Sequence, residues 1–200
     1  MNLEERNRRV VLASASPRRE ELLRQIGIVP EIVPSEVTEV IMGSEPAEVV
    51  MELSRQKACE VAERIAAETK PELVVIGADT VVSQGGRILG KPSDRREALE
   101  MIRSLQGRRH QVYTGVTLIC GAKRRTFAVE TRVELYPMTE EEIVRYVDCN
   151  ESLDKAGAYG IQGRFAAHIR GIEGSYTNVM GLPVGRLYQE MKQLLEEQHD

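Results

Sequence analysis

Two short apolar runs, Val10-Val11-Leu12-Ala13 and Leu73-Val74-Val75-Ile76, leave this chain little choice of architecture. Neither alternates with polar residues, so a strand built from either has no face to give to water and reads as buried. The second run is the more apolar and ends at Gly77-Ala78-Asp79, which sets a carboxylate and then Thr80 at the exit of a strand. The first leads into Ser14-Ala15-Ser16-Pro17. Ser16 suits an N-cap and Pro17 the first helical position, so a helix is expected to about Gly27, with Leu22, Leu23 and Ile26 inward.

The remaining signals alternate between helix and strand. Glu31 to Val37 reads as a strand, and apolar residues at helical spacing predict a long helix from Pro46 to about Thr69. Val81 to Leu89 turns on Gln84-Gly85-Gly86, a hairpin signal. Ser93 is expected to cap a helix to about Leu105, closed by Gly107. Val112 to Cys120 and Phe127 to Leu135 read as strands joined at Gly121-Ala122-Lys123. Thr139 with Glu142 forms a capping box for a helix to about Val147. A Gly-, Asp- and Lys-rich loop over 150–164, a last strand over Phe165 to Ile169 and a terminal helix from Leu182-Pro183 toward Leu195 complete the reading. The pattern is that of an α/β protein with a largely mixed sheet, one domain over 1–200 without a separable linker.

Composition narrows the function. Asp and Glu total 31 against 27 Lys and Arg, a formal net charge of −4, so no global positive field holds a nucleic-acid backbone. Trp is absent and the aromatics are 6 Tyr and 2 Phe, which argues against stacking successive bases of a single strand. Cys59, Cys120 and Cys149 are scattered, and His110, His168 and His199 show no metal-binding spacing, so neither a disulfide framework nor a zinc site is expected. The charged start, Met1 to Arg6, lacks the apolar run of a signal peptide, and no run approaches the roughly 20 residues that span a bilayer. The expectation is a soluble, cytoplasmic chain with no membrane and no nucleic-acid partner.

Five motifs carry chemistry. In Ser14-x-Ser16-Pro17-Arg18-Arg19, hydroxyls, open helix N–H groups and two guanidiniums suit a phosphate cradle; a surface helix neutralised by Glu20 and Glu21 is the plain alternative. Asp79 can hold Mg²⁺ or take a proton from attacking water, or simply satisfy a turn. Lys91, in Leu89-Gly90-Lys91-Pro92, presents an ammonium that either meets a phosphate or stays solvated, and Lys57 and Glu39 read locally as surface residues. In Asp154-Lys155-Ala156-Gly157-Ala158-Tyr159-Gly160-Ile161-Gln162-Gly163, the Gln162 amide has the donors and acceptors to read a base edge, unless the loop is structural. Gly171 to Pro183 is turn-rich and leads to a helix start, a further phosphate or main-chain contact.

Taken in order, Ser-x-Ser-Pro-Arg-Arg, Gly-Ala-Asp-Thr-Val-Val, Leu-Gly-Lys-Pro, Asp-Lys-Ala-Gly-Ala-Tyr-Gly-Ile-Gln-Gly and Gly-Ser-Tyr-x-Asn-Val-x-Gly-Leu-Pro resemble the Maf family of nucleoside triphosphate pyrophosphatases, from about Val10 to Leu187. The resemblance implies an elongated mixed sheet flanked by helices, two lobes with a central cleft, of the inosine triphosphatase type. It implies hydrolysis of a nucleoside triphosphate to monophosphate and pyrophosphate with Mg²⁺ or Mn²⁺, and a possible homodimer. Carried over by motif, Asp79 is the catalytic proton acceptor. Arg18, Thr80 and Gln162 select substrate, and Ser14, Arg19, Lys57 and Lys91 line the triphosphate. Glu39 and Asp79 hold metal. Ile161-Gln162-Gly163 resembles the branch acting on dTTP and UTP, whereas the 7-methyl-GTP branch is acidic there. Many members have Asp-Glu where this chain has Thr38-Glu39, which leaves the metal ligand set open. A broad house-cleaning pyrophosphatase and a nucleotide-binding regulator of cell division stand as alternatives.

Overall fold

The computed structural model describes residues 9–41, 43–65 and 73–196. In chain order the elements are β1 (Val10–Leu12), α1 (Pro17–Gln25), β2 (Glu31–Ile32), α2 (Pro46–Arg64), β3 (Val74–Gln84), β4 (Arg87–Leu89), α3 (Arg95–Leu105), β5 (Arg109–Cys120), β6 (Lys123–Leu135), α4 (Glu140–Val147), β7 (Ile169–Glu173), α5 (Tyr176–Met180) and α6 (Val184–Glu196). Among the described residues seven strands form one mixed sheet in the order β2-β1-β3-β5-β6-β7, with β4 on β3. β1 runs parallel to β2 and β3, and the β3–β5–β6–β7 run and the β3–β4 hairpin are antiparallel. The expected mixed α/β architecture is the observed one.

Side chains alternate across β3, so each parity meets a different layer. Val74, Ile76 and Ala78 join Leu12, Leu22, Leu118, Leu187 and Met191 in one core under α1 and α6. Farther along the same face, Val82 and Val112 join Ile102, Leu105, Tyr146 and Phe165 under α3 and α4. Between these cores the face is interrupted by two paired threonines, Thr80 and Thr114. On the opposite face Val75 packs with Val11, Ala58 and Val61 of α2. α2 lies unusually close there. A methyl group on Gly77 would stand 2.3 Å from the Ser54 carbonyl oxygen, and one on Gly115 would stand 2.1 Å from that of Val50.

Several elements differ from the sequence reading, each for a physical reason. β3 does not stop at Asp79; pairing with β5 continues through Ser83↔Gln111 and carries Asp79 into mid-strand. β2 covers Glu31–Ile32 rather than Glu31 to Val37, because β1, its only neighbour among the described residues, ends at Leu12 and Pro34 has no N–H to donate. Asp94, not Ser93, caps α3 by accepting the Glu97 N–H, while Ser93 bonds the Glu97 carboxylate. Residues 163–168 form 3₁₀ turns instead of a strand; Phe165 is a buried plug against Tyr146 and Tyr159, and β7 begins only at Ile169. α5 forms inside the stretch read as turn-rich, capped by Ser175 accepting the Asn178 N–H. The Gly85-Gly86 turn, with φ of 57° and 82°, and the Thr139–Glu142 capping box are as expected. α1 ends two residues before Gly27, and the expected end of α2 near Thr69 lies outside the described residues, as do Met1 to Arg6 and His199. No described helix is long and apolar enough to cross a membrane.

Candidate active site

The cleft opens where β3 loses a neighbour. β1 pairs with it only as far as Ile76, and β4 only from Val82 to Gln84, so residues 77–81 have no strand on that flank among the described residues. Ala13 closes the ladder with one bond to the Ile76 carbonyl, and the chain then turns away through Ser14 toward α1. A cleft of about 660 Å³ forms against this gap, lined from Ser14 through Gln162 by every residue singled out in the sequence: Ser14, Arg18, Arg19, Glu39, Lys57, Asp79, Thr80, Lys91 and Gln162. Its size falls within the ordinary range for small-molecule pockets.

Alternation along β3 turns the adjacent Asp79 and Thr80 to opposite faces. Asp79 meets α2, where Lys57 Nζ lies 2.5 Å from Asp79 Oδ1 and 2.8 Å from Glu39 Oε1. The close seat of α2 over Gly77 and Gly115 is what brings Lys57 within reach. Asp79 Oδ2 has no hydrogen-bond partner among the described residues. Two carboxylates converging on one ammonium form an oxygen donor set that fits Mg²⁺ or Mn²⁺, ions usually held by one or two carboxylates with phosphate and water completing the shell. Among the described residues no group of three or more acidic, His or Cys ligands exists, and Thr38 is exposed and does not line the cleft.

On the other face Arg19 is held at three points. Its Nε donates to the Gly181 carbonyl at 2.8 Å, Nη1 to Ser14 Oγ at 3.0 Å and Nη2 to Thr80 Oγ1 at 3.1 Å. Burial lowers its pKa from the ordinary value, with Asp79 opposing the shift; a guanidinium nonetheless keeps its charge at any physiological pH. Ser14 Oγ also accepts the Ser16 N–H at 3.2 Å, so the serine sits as the hinge between strand and helix.

Arg18 spans the cleft mouth to Asp154 at 3.3 Å, and Asp154 also meets Lys155 Nζ at 2.6 Å. The Arg18–Asp154 pair is largely exposed and is worth little, so an anion can take Arg18 at small cost. Lys91 is exposed and Gln162 half-buried; the side chain of neither bonds to a described residue. The cations Arg18, Arg19, Lys57 and Lys91 therefore gather at one cleft but are not bare. Lys57 and Arg18 are paired, and the acids Glu39, Asp79, Glu151 and Asp154 nearly balance the five cations of the lining. Thr114, which lies behind Thr80 rather than in the cleft, has no place in the sequence motifs, whereas Asn178 belongs to the motif from Gly171 to Pro183 without a role of its own there. The one available signal was a polar residue at an inward position of the apolar run from Val112 to Cys120.

Comparison with known proteins agrees with the resemblance. A family model described as Maf-like protein matches residues 9–194. A dTTP/UTP pyrophosphatase of Agathobacter rectalis is 52% identical over 198 residues, 92% of this chain and 97% of that one. One of Carboxydothermus hydrogenoformans is 51% identical, covering 92% and 98%, and one of Bacillus anthracis is 49% identical, covering 93% and 95%. Among solved structures, the Staphylococcus aureus Ham1 protein aligns with a TM-score of 0.40 and 15% identity over 64% of this chain and 71% of that one, too distant a likeness to bear on fold or function. The matched span takes in every strand of the sheet and every residue that lines the cleft, and the chain belongs to the Maf family.

Proposed function

We propose that this protein hydrolyses dTTP and UTP to the nucleoside monophosphate and pyrophosphate, by attack of water on the α-phosphorus. The observation that carries the reading is the pairing of Asp79, engaged by Lys57 on one face of β3, with Arg19, held at three points on the other, in one cleft. The names of the relatives near 50% identity support it.

In the proposed step the water oxygen bonds to the α-phosphorus and the bond from that phosphorus to the bridging oxygen breaks. Pyrophosphate leaves with the bonding electrons, and the water proton passes to Asp79. Lys57 fixes Asp79 through Oδ1, which leaves Oδ2 free to face the water. Asp79 and Glu39 would hold Mg²⁺ or Mn²⁺, which when bound neutralises charge on phosphate oxygens. Arg18, Arg19, Lys57 and Lys91 set positive charge opposite the leaving pyrophosphate, so catalysis is mainly positioning and electrostatics. Ser14 and Thr80 keep Arg19 in place. Gln162, with an unengaged amide, pairs with the O4/N3 edge of thymine or uracil; cytosine presents a donor where O4 accepts and is rejected because buried groups are left unpaired. The working unit is one domain over 1–200, whose two lobes share the cleft.

A panel of dTTP, UTP, CTP, GTP and 7-methyl-GTP, each with Mg²⁺ or Mn²⁺ and scored for pyrophosphate, tests the proposal. Pyrophosphate released one-for-one with monophosphate from dTTP and UTP is the expected result. Preference for 7-methyl-GTP, or release of orthophosphate instead, overturns it. Equal turnover of all five favours the house-cleaning alternative.

A further inference from the structure

Behind the cleft, four groups form a hydrogen-bond chain with only one possible direction. Arg19 Nη2 lies 3.1 Å from Thr80 Oγ1, Thr80 Oγ1 lies 3.0 Å from Thr114 Oγ1, and Thr114 Oγ1 lies 3.0 Å from the Asn178 carbonyl oxygen. A guanidinium only donates and a carbonyl only accepts. The single proton of Thr114 is therefore committed to Asn178, the proton between the two hydroxyls belongs to Thr80, and a lone pair of Thr80 faces Arg19. The end of the chain is firmly placed. Asn178 is fully buried, and its Nδ2 donates to the Val112 carbonyl and to Thr131 Oγ1, both at 3.0 Å. That anchor locates the turn at α5, whose Gly181 carbonyl also takes Arg19 Nε. The motif from Gly171 to Pro183 thus acts through its main chain.

We propose that Thr114, buried and outside the cleft lining, is a positioning residue of the phosphate site: it fixes the direction of the Thr80 hydroxyl and, through it, the orientation of Arg19. This rests on the reading of the cleft as a triphosphate site. Without the Thr114 hydroxyl, the Thr80 proton has no acceptor on that side. The Thr80 hydroxyl rotates to find one, and its lone pair leaves Arg19.

The test is Thr114→Val, which keeps the shape and removes the hydroxyl, with Thr114→Ala as a second variant should the first not fold. For dTTP, kcat/KM falls about tenfold, the size of one net hydrogen bond. Thr114→Ser restores it to within about twofold, and Thr114→Val combined with Thr80→Val is no worse than Thr80→Val alone, because both remove the same link. The Nε–H resonance of Arg19, assigned by its loss in Arg19→Lys, shifts or broadens in Thr114→Val and returns in Thr114→Ser. Parental kcat/KM with an unmoved resonance, or strictly additive losses in the double variant, overturns the proposal. A parental protein that turns over no triphosphate would sink the functional reading instead, and the resonance would still judge Thr114.

Discussion

Gly77→Ala joins the packing of α2 to the chemistry of Asp79. Gly77 is not at positive φ, so alanine meets no backbone strain and the whole effect is steric. The added methyl stands 2.3 Å from the Ser54 carbonyl oxygen and 2.8 Å from both the Cβ and N of Ala58. Carbon contacts settle at roughly 3.5–4.0 Å, so α2 must retreat by about 1 Å. Overpacking of this kind costs about 1–3 kcal/mol, offset by up to about 1 kcal/mol from the lost chain freedom of glycine. Lys57 neighbours Ala58, so its 2.5 Å contact with Asp79 opens beyond hydrogen-bond length. A misplacement near 1 Å at a reacting group costs on the order of 10²-fold in rate. Urea unfolding gives the first quantity, and pyrophosphate release per folded molecule gives the second. Gly185→Ala is the control, since nothing lies within 4 Å of its added methyl. Parental kcat/KM in Gly77→Ala would refute the argument that the helix seat sets the Lys57–Asp79 contact.

Other outcomes follow from the same geometry. Asp79→Asn lowers turnover by about 10²–10⁴-fold, the usual worth of a general base, while its melting curve keeps the parental shape; undiminished pyrophosphate release removes Asp79 from the mechanism. Gln162→Ala narrows the preference for dTTP over CTP by roughly tenfold or more and lowers maximal rate less; an unchanged ratio sends base reading elsewhere. His110 is fully buried, with Nε2 2.6 Å from Tyr159 Oη, and burial lowers its pKa to about 4. The unfolded chain takes up that proton first as pH falls, so the contribution is complete above about pH 6.5, declines toward pH 4 and is flat below, on the order of 3 kcal/mol in all. Melting midpoints of parent and His110→Gln compared from pH 7 to 4 check this, and identical slopes would disprove it.

What the amino-acid order determined alone is whatever neighbouring residues decide between themselves. Pro17 starts α1 as its first residue, with Ser16 at the N-cap position but making no side-chain cap bond, Gly85-Gly86 turns the β3–β4 hairpin, and Thr139 with Glu142 caps α4, each within a few positions. The nine cleft residues were legible because their order resembles a family, although their local chemistry was ambiguous residue by residue. Partners distant in sequence decided the rest. β3 runs past Asp79 because β5 pairs with it, and β2 stops at Ile32 because β1 does. Lys57, a surface lysine by its own helix, becomes the partner of Asp79 only because two glycines let α2 touch the sheet. Thr114 looks like any strand threonine until Asn178, 64 positions away, takes its proton. A hydrogen bond or a close contact is a property of two surfaces, and the chain order specifies only one of them at a time.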